Sequence, residues 1–274
     1  MTHRDPWRDV DAHAAPSVAK LAQTLEARGR TPTQRRLRRR FLSFVPVRPG
    51  ATVLEVGCGT GVVLRDAAQI AGARGRVTGI DPSHELLKVA RPLCGAARGR
   101  APIEVRKGTG ARLPFAANRF DVALAITVIL HVADPLAVVR EMVRVTRRGG
   151  RVGLQDQDFG VIAVAHPDRD LTDRVMHGVA RHMYEEPYSG RRLPGLLRAA
   201  GLEHVRLRTD VYQDTRLEPF SKIFLERRAE NAVNLGIVDA AAAQKWLDGF
   251  TTLVAEGAFV LTMNYYGAVG QKPA

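Results

Sequence analysis

The residues best suited to chemistry in this chain are concentrated in the nine-residue run VLEVGCGTG, Val53 to Gly61. Gly57, Gly59 and Gly61 alternate with Cys58 and Thr60, and a carboxylate, Glu55, stands two positions ahead of the first glycine. Glycines at this spacing allow unusual φ/ψ and remove the Cβ atoms that would keep a ligand away from the main chain. A phosphate loop would need Lys followed by Ser or Thr after its last glycine, whereas Gly61 is followed by Val62 and Val63. A dinucleotide fingerprint would read GxGxxG, but the spacing here is GxGxG, and Glu55 would repel a pyrophosphate. By charge complementarity, Glu55 suits a cationic or amine-bearing ligand. Twenty residues beyond Gly61 stands Asp81, where an acidic side chain can accept hydrogen bonds from both hydroxyls of a ribose. A ribose joined to a cationic, amine-bearing group is the chemistry of S-adenosylmethionine.

These residues need a strand, a turn and a helix to position them. Val53, Leu54 and Val56 read as a buried parallel strand, and the segment after Gly61 carries Val62, Val63, Leu64, Ala67, Ala68 and Ile70 at helical spacing. A helix opening at Gly61 would point its free amides at the ligand. Further strands are expected near 52–57, 76–81, 102–106, 121–127 and 150–156, with helical stretches between them, which makes the fold a doubly wound α/β sheet. Thr31 and Pro32 read as the N-cap and first residue of a helix running through Arg35, Arg36, Arg38, Arg39 and Arg40. Near the C-terminus, Ala240 to Val254 places Trp246, Leu247, Phe250 and Leu253 on one helical face, a pattern that favours core.

Beyond the glycine run, the chain contains VTGIDPS (Val77 to Ser83), GTGARLPF ahead of FDVALA, HVADP (His131 to Pro135) and RVTRRGGRVGL (Arg144 to Leu154). With these motifs it resembles the class I S-adenosylmethionine-dependent methyltransferases, and among them the small-molecule branch similar to the ubiquinone and menaquinone biosynthesis enzymes. The resemblance runs through most of the chain. It implies a Rossmann-like, seven-stranded sheet with two more strands near 203–211 and 258–268, the last inserted antiparallel. It also implies an N-terminal helical lid segment, 1–45, and a methyltransferase domain, 46–274, with helical insertions at about 166–200 and 213–256 that cover the substrate. The amino-acid part of the cofactor then falls to Gly57, Gly59 and Gly61, the ribose to Asp81, and the adenine to Thr109 to Ala111. Glu55, Cys58, Pro82, Gly108, Gly110 and Thr127 complete the expected cofactor-binding set. One position departs from the pattern: Thr109 stands where the family usually has an acidic residue. A hydroxyl still accepts a hydrogen bond from the adenine amine, but losing the charge-assisted bond costs about 1 kcal/mol, or several-fold in affinity.

Methyl transfer asks the protein to align reactants and exclude water, and an oxygen nucleophile also needs a base. His131, just beyond the fourth strand, is the candidate, since imidazole titrates in the useful range; the alternative role for it is helix capping or packing beside Asp134. Asp156, after the fifth strand, could also enter the cleft, and His166, Tyr184, Tyr188, Tyr212 and Tyr265 are lid or rim candidates.

The chain has 274 residues, 45% of them hydrophobic and 25% charged, enough for one large α/β domain with its own core. Two cysteines make no disulfide framework, and with the eight histidines they show no paired zinc-ligand spacing. The longest apolar run, Val122 to Leu130, is too short to span a bilayer, and the N-terminus has no signal core, so a cytoplasmic location is expected. Met1 to Pro16 is expected to be poorly ordered before a ligand arrives. A formal net charge of +13 raises nucleic acid as a rival substrate. Against that, the charges are widely spread, and the position after the fourth strand holds Ile126, Thr127, Val128 and Ile129 in place of a base-handling motif. The expected partner is a small-molecule acceptor, anionic or aromatic, on a chain that could pair as a homodimer. A protein that binds the cofactor without methylating is the remaining alternative.

Overall fold

Val53 and Leu54 are completely buried and Val56 nearly so, which puts the strand they form, β1 (Thr52–Val56), at the centre of a sheet covered on both faces. The computed structural model describes residues 5–95 and 99–274. Two helices, α1 (Ala15–Arg30) and α2 (Pro32–Phe44), precede β1, and α3 (Val62–Ala71) follows it. The alternation continues through β2 (Arg76–Asp81), α4 (His84–Leu93), β3 (Ile103–Lys107), β4 (Phe120–Ile126), α5 (Pro135–Val145), β5 (Thr146–Gln157) and the two-residue β6 (Ala163–Val164). Next come α6 (Arg169–Asp173), a π-helical turn at Arg174–Gly178, α7 (Val179–Met183), α8 (Ser189–Ala199) and β7 (Glu203–Asp214). The chain closes with α9 (Pro219–Asn234), α10 (Ala240–Ala255) and β8 (Leu261–Gln271).

The strands lie in the order β3-β2-β1-β4-β5-β8-β6, with β7 also paired to β8. β1 to β5 are mutually parallel, and β8 runs antiparallel to both β5 and β7, with Leu154 opposite Ala268 and Leu207 opposite the same residue. The expected sheet is present with its antiparallel last strand, and the short β6 adds an eighth. Strand order reverses at β1, whose neighbours are β2 and β4, so a crevice opens beyond the carboxyl ends of β1 and β4.

On one side of the sheet, Leu64 and Ala68 of α3 pack with Phe41 and Leu42 of α2. On the other, Val139 and Met142 of α5 pack with Leu193 and Leu197 of α8. A third apolar cluster joins α9, α10 and the outer strands through Tyr212, Phe220, Leu225, Trp246, Phe250 and Tyr265. The expected face of α10 lies there: Trp246 and Phe250 are buried, their rings edge-to-face at 4.7 Å, and Leu247 and Leu253 pack half-buried against the cluster.

Three local expectations meet different outcomes. Thr31 and Pro32 are the N-cap and first residue of α2 as expected, but Thr31 Oγ1 donates to the Ala27 carbonyl and makes no side-chain cap bond. In the arginine run, Arg35, Arg36, Arg39 and Arg40 are exposed, while Arg38 turns inward to Asp66 at 2.9 Å and to the Gly29 carbonyl. The disorder expected for Met1 to Pro16 concerns, in part, residues 1–4, which lie outside the described residues; from Asp5 onward the segment makes defined contacts. Val10 packs with Val18, Leu21 and Leu86. Asp11 caps α4, accepting from Ser83 Oγ and from the His84 and Glu85 amides. Desolvation alone would raise the Asp11 carboxyl, but these bonds outweigh it and hold the group well below the usual carboxylate range.

Candidate functional site

The sharp turn after β1 is built from glycine because no other residue fits its backbone. Gly57, Gly59 and Gly61 have φ of +69°, +51° and +78°. A Cβ on Gly57 would stand 2.4 Å from Val128 Cγ2, and one on Gly59 would meet Leu25 of α1 at 2.9 Å. Asp81 secures the turn from the neighbouring strand end: Oδ2 accepts from the Gly59 amide at 2.8 Å and Oδ1 from the Ser83 amide at 2.9 Å. Burial raises the Asp81 carboxyl, and the two amide bonds oppose that rise.

A cavity of about 570 Å³ opens over this turn. Of the residues expected to hold a cofactor, Glu55, Gly57, Cys58, Gly59, Asp81, Pro82, Gly108, Thr109, Gly110, Ala111 and Thr127 all line it, as does His131. Gly61 does not: it caps α3 behind the turn, with its amide on the Cys58 carbonyl at 2.8 Å. Burial, reinforced by the nearby carboxylates of Asp81 and Asp66, lifts Glu55 well above its ordinary range, and its Oε2 has no hydrogen-bond partner among the described residues. A buried carboxyl left this way is complementary to an incoming cation. The glycine cradle, the unpartnered Glu55 carboxyl and the amide-oriented Asp81 are chemically compatible with S-adenosylmethionine. Burial also raises the Cys58 thiol, which stays protonated, and both cysteines are free. No metal-ligating cluster occurs among the described residues.

Thr109 is exposed on the cavity wall, paired only by a β-bridge to Arg112, so an acidic side chain has room there. Thr109→Asp is expected to tighten S-adenosylhomocysteine binding about three- to tenfold in calorimetry. An unchanged affinity would show that Thr109 does not weaken cofactor binding.

Thr127, the residue after β4, is in the left-handed region at φ +54°, unusual for a β-branched residue. Its amide donates to the Gln155 carbonyl and its hydroxyl accepts from Arg28 Nη1 at 3.3 Å. Past it, the 3-10 turn Ile129–His131 sets the imidazole on the cavity wall. His131 Nδ1 lies 2.6 Å from Oδ2 of Asp5, a buried carboxylate from the N-terminal segment. A proton on Nδ1, donated to Asp5, leaves the lone pair on Nε2. The alternative of His131 as a helix cap fails, because Asp134 caps α5 by accepting from the Ala137 amide.

Asp156 is absent from the cavity lining. Fully buried beneath the His131 turn, it accepts from the Leu130 amide at 3.0 Å through Oδ2, while Oδ1 has no partner among the described residues. Burial pushes its carboxyl up to about 7. Between about pH 4 and 7 it is protonated in the folded chain and ionised in the unfolded one, so the stability present at acid pH is lost as pH rises through 7. Asp156→Asn keeps an acceptor for Leu130, and by this linkage thermal unfolding should find it more stable than the parent at pH 8, by up to about 4 kcal/mol, with the gap shrinking as pH falls and closing only near pH 4. Equal stabilities at both pH values would disprove the assignment.

Among the aromatic candidates, Tyr184 lines the cavity, edge-on to His131 at 5.5 Å. His166 is bound to the Trp246 carbonyl, Tyr188 packs under Arg191, and Tyr212 and Tyr265 are core. Sequence reading missed Asp5, the partner of His131, and also Trp7, Arg28 and the α9 face made by Phe220, Phe224, Arg227, Arg228 and Asn231, which line the cavity. Those five α9 residues sit at helical spacing, but two arginines among them disguise a buried face as a solvated one.

Comparison with known proteins agrees with this geometry. The family described as "Methyltransferase domain" matches residues 54–154. An uncharacterised 37.1 kDa protein from a transposon of Streptomyces fradiae is 31% identical over 233 residues, covering 84% of this chain and 65% of that protein. The O-methyltransferase resE of Aspergillus sclerotiorum is 28% identical over 263 residues, covering 93% and 88%. A solved structure, phosphoethanolamine N-methyltransferase 2 of Haemonchus contortus, superposes with a TM-score of 0.62 at 16% identity, covering 100% of this chain and 61% of that one. The chain spans less than two thirds of the length of the first curated relatives it matches. Residues 54–154 thus match the methyltransferase-domain family, in line with the resemblance to S-adenosylmethionine-dependent methyltransferases that the motifs carry.

Proposed function

We propose that this protein transfers a methyl group from S-adenosylmethionine to an oxygen of a small-molecule acceptor, with His131 as the general base. The observation that carries the reading is that one cavity holds both the glycine turn with Asp81 and an imidazole whose Nδ1 is tied to a buried carboxylate. The cofactor, when bound, supplies an activated sulfonium methyl group. Glu55, the glycine turn, Asp81, Pro82 and the Gly108 to Ala111 segment hold it, with Thr127 beside them. His131 Nε2 takes the proton from the acceptor oxygen, and Asp5 keeps the ring in the tautomer that can do so.

Residues 1–45 act in this reading as a helical lid, with the helices of 166–200 and 213–256 covering the acceptor. Support comes from Trp7, Thr24, Leu25 and Arg28 on the cavity wall, and from Arg8 to Glu185 and Lys20 to Glu230, two ion pairs that join the N-terminal segment to the insertions. Enclosure of this kind keeps water from the methyl donor. The reading extends to a cytoplasmic location, in keeping with two free thiols and no helix among the described residues long and apolar enough to cross a membrane. It extends also to a homodimer, which light scattering on the purified protein would show or exclude.

The deciding experiment is calorimetry with S-adenosylmethionine and S-adenosylhomocysteine, followed by a screen of phenols, quinones and polyketide-like acids with methyl-labelled cofactor. Binding with transfer supports the proposal. Binding without transfer to any acceptor would favour a protein that holds the cofactor for another purpose. No binding at millimolar concentration would remove the reading.

A further inference from the structure

Arg228 is 2% exposed, and neither Nη1 nor Nη2 has a hydrogen-bond partner among the described residues. Its guanidinium carbon sits 4.3 Å from the centre of the Phe159 ring, 5.1 Å from Phe224 and 5.5 Å from Tyr184. Aromatic faces pack well against a guanidinium but satisfy none of its N–H groups. Burial lowers the affinity of the group for its proton, with neighbouring Arg227 acting in the same direction and Tyr184 opposing it. Arginine nonetheless keeps its charge in proteins. A buried cation without an anion is strongly unfavourable, so a fold that retains one at a cavity wall has left the counter-ion to be supplied from outside.

The position of Arg228 names that counter-ion. It lines the cavity with His131, and the wall around it is made of Leu130, Phe159, Met183, Tyr184, Phe220 and Phe224. The glycine turn and Asp81 take the cofactor, and their surroundings are acidic through Glu55 and Asp81, so the cationic, aromatic part of the cavity belongs to the acceptor. A guanidinium edge offers parallel N–H groups that match the two oxygens of a carboxylate. We infer that the acceptor is a flat, largely apolar molecule bearing a carboxylate, which binds bidentately to Arg228 while its nucleophilic oxygen faces His131. This inference rests on the methyl-transfer reading of the same cavity.

The test uses the full chain, with benzoate and its uncharged isostere benzamide as probes, at constant ionic strength. Benzoate should raise the melting temperature of the wild type in a saturable manner and benzamide should not. In Arg228→Met, which has similar volume and no charge, the protein without anion should melt higher than the wild type and its benzoate affinity should fall by at least about tenfold. A wild type that responds equally to both probes, or to neither, overturns the inference. So does an Arg228→Met protein that melts lower and keeps its benzoate response, because Arg228 would then be a structural residue. Calorimetry with S-adenosylhomocysteine on the same samples separates the two readings. Intact cofactor binding without a benzoate effect rejects the carboxylate anchor alone, whereas a benzoate effect without cofactor binding rejects methyl transfer and leaves an anion site.

Discussion

Gly59→Arg should yield a folded protein that no longer binds S-adenosylhomocysteine, with affinity reduced at least about 10³-fold, or ~4 kcal/mol. Three causes act together. Gly59 sits at φ +51°, where an L-residue is strained by about 1–2 kcal/mol. Its new Cβ would come within 2.9 Å of Leu25 Cδ1, pushing α1 off the turn. The guanidinium, anchored between Glu55 and Asp81, would offer those carboxylates an internal cation and fill the space of an external one. Circular dichroism should show native helix content, because the turn lies at the end of β1 and outside the packed sheet. Calorimetry that finds wild-type affinity in a folded Gly59→Arg protein would displace the cofactor from this turn altogether. Asp81→Ala serves as the companion variant, removing the acceptor of the Gly59 amide along with the carboxylate proposed for the ribose.

His131→Ala should lower turnover by about 10²- to 10⁴-fold, the usual contribution of a positioned base, and leave S-adenosylhomocysteine binding within twofold. Added imidazole should restore part of the loss, which a merely structural histidine would not permit. Asp5→Ala should follow the same direction with a smaller loss in kcat, because the ring remains but its tautomer and orientation are no longer held. The assay uses whichever acceptor the labelled-methyl screen identifies. Full turnover in His131→Ala would reassign the imidazole to packing against Tyr184, 5.5 Å away.

The glycine-turn end of the cavity was legible in the sequence because its parts are local. Glu55, the glycine turn and Asp81 lie within 27 positions and are joined by one strand, one helix and one more strand. The geometry of such a unit follows from strand and helix periods and the right-handed crossover, with little help from the remainder of the chain. Gly61 shows the limit of that reasoning. Its place in the motif was plain, yet whether it faces ligand or the back of α3 depends on a backbone rotation of one residue. Asp156 was misplaced for a related reason: it lies within β5 near its carboxyl end, where the turn carrying His131 folds over it.

The end of the cavity lined by His131 and α9 was not legible. Asp5 meets His131 across 126 positions, and no spacing rule connects the two. Arg227 and Arg228 resemble the solvent-facing charges of many helices, and only the packing of α9 against Phe159 and Tyr184 puts Arg228 out of reach of water. The Arg35 to Arg40 run makes the same point in reverse, since four of its arginines face solvent as a charged helix face should and Arg38 does not.

By itself, then, the sequence determined the doubly wound sheet, the turn at Gly57 to Gly61 and the acidic residue at the end of β2, because periodicity and glycine spacing are properties of short segments. Only the tertiary structure decided which carboxylate orients His131, which cation is left unpaired at the cavity wall and which aromatic residues surround it. Burial and the pairing of charge are set by what distant segments bring together, and no local pattern records them.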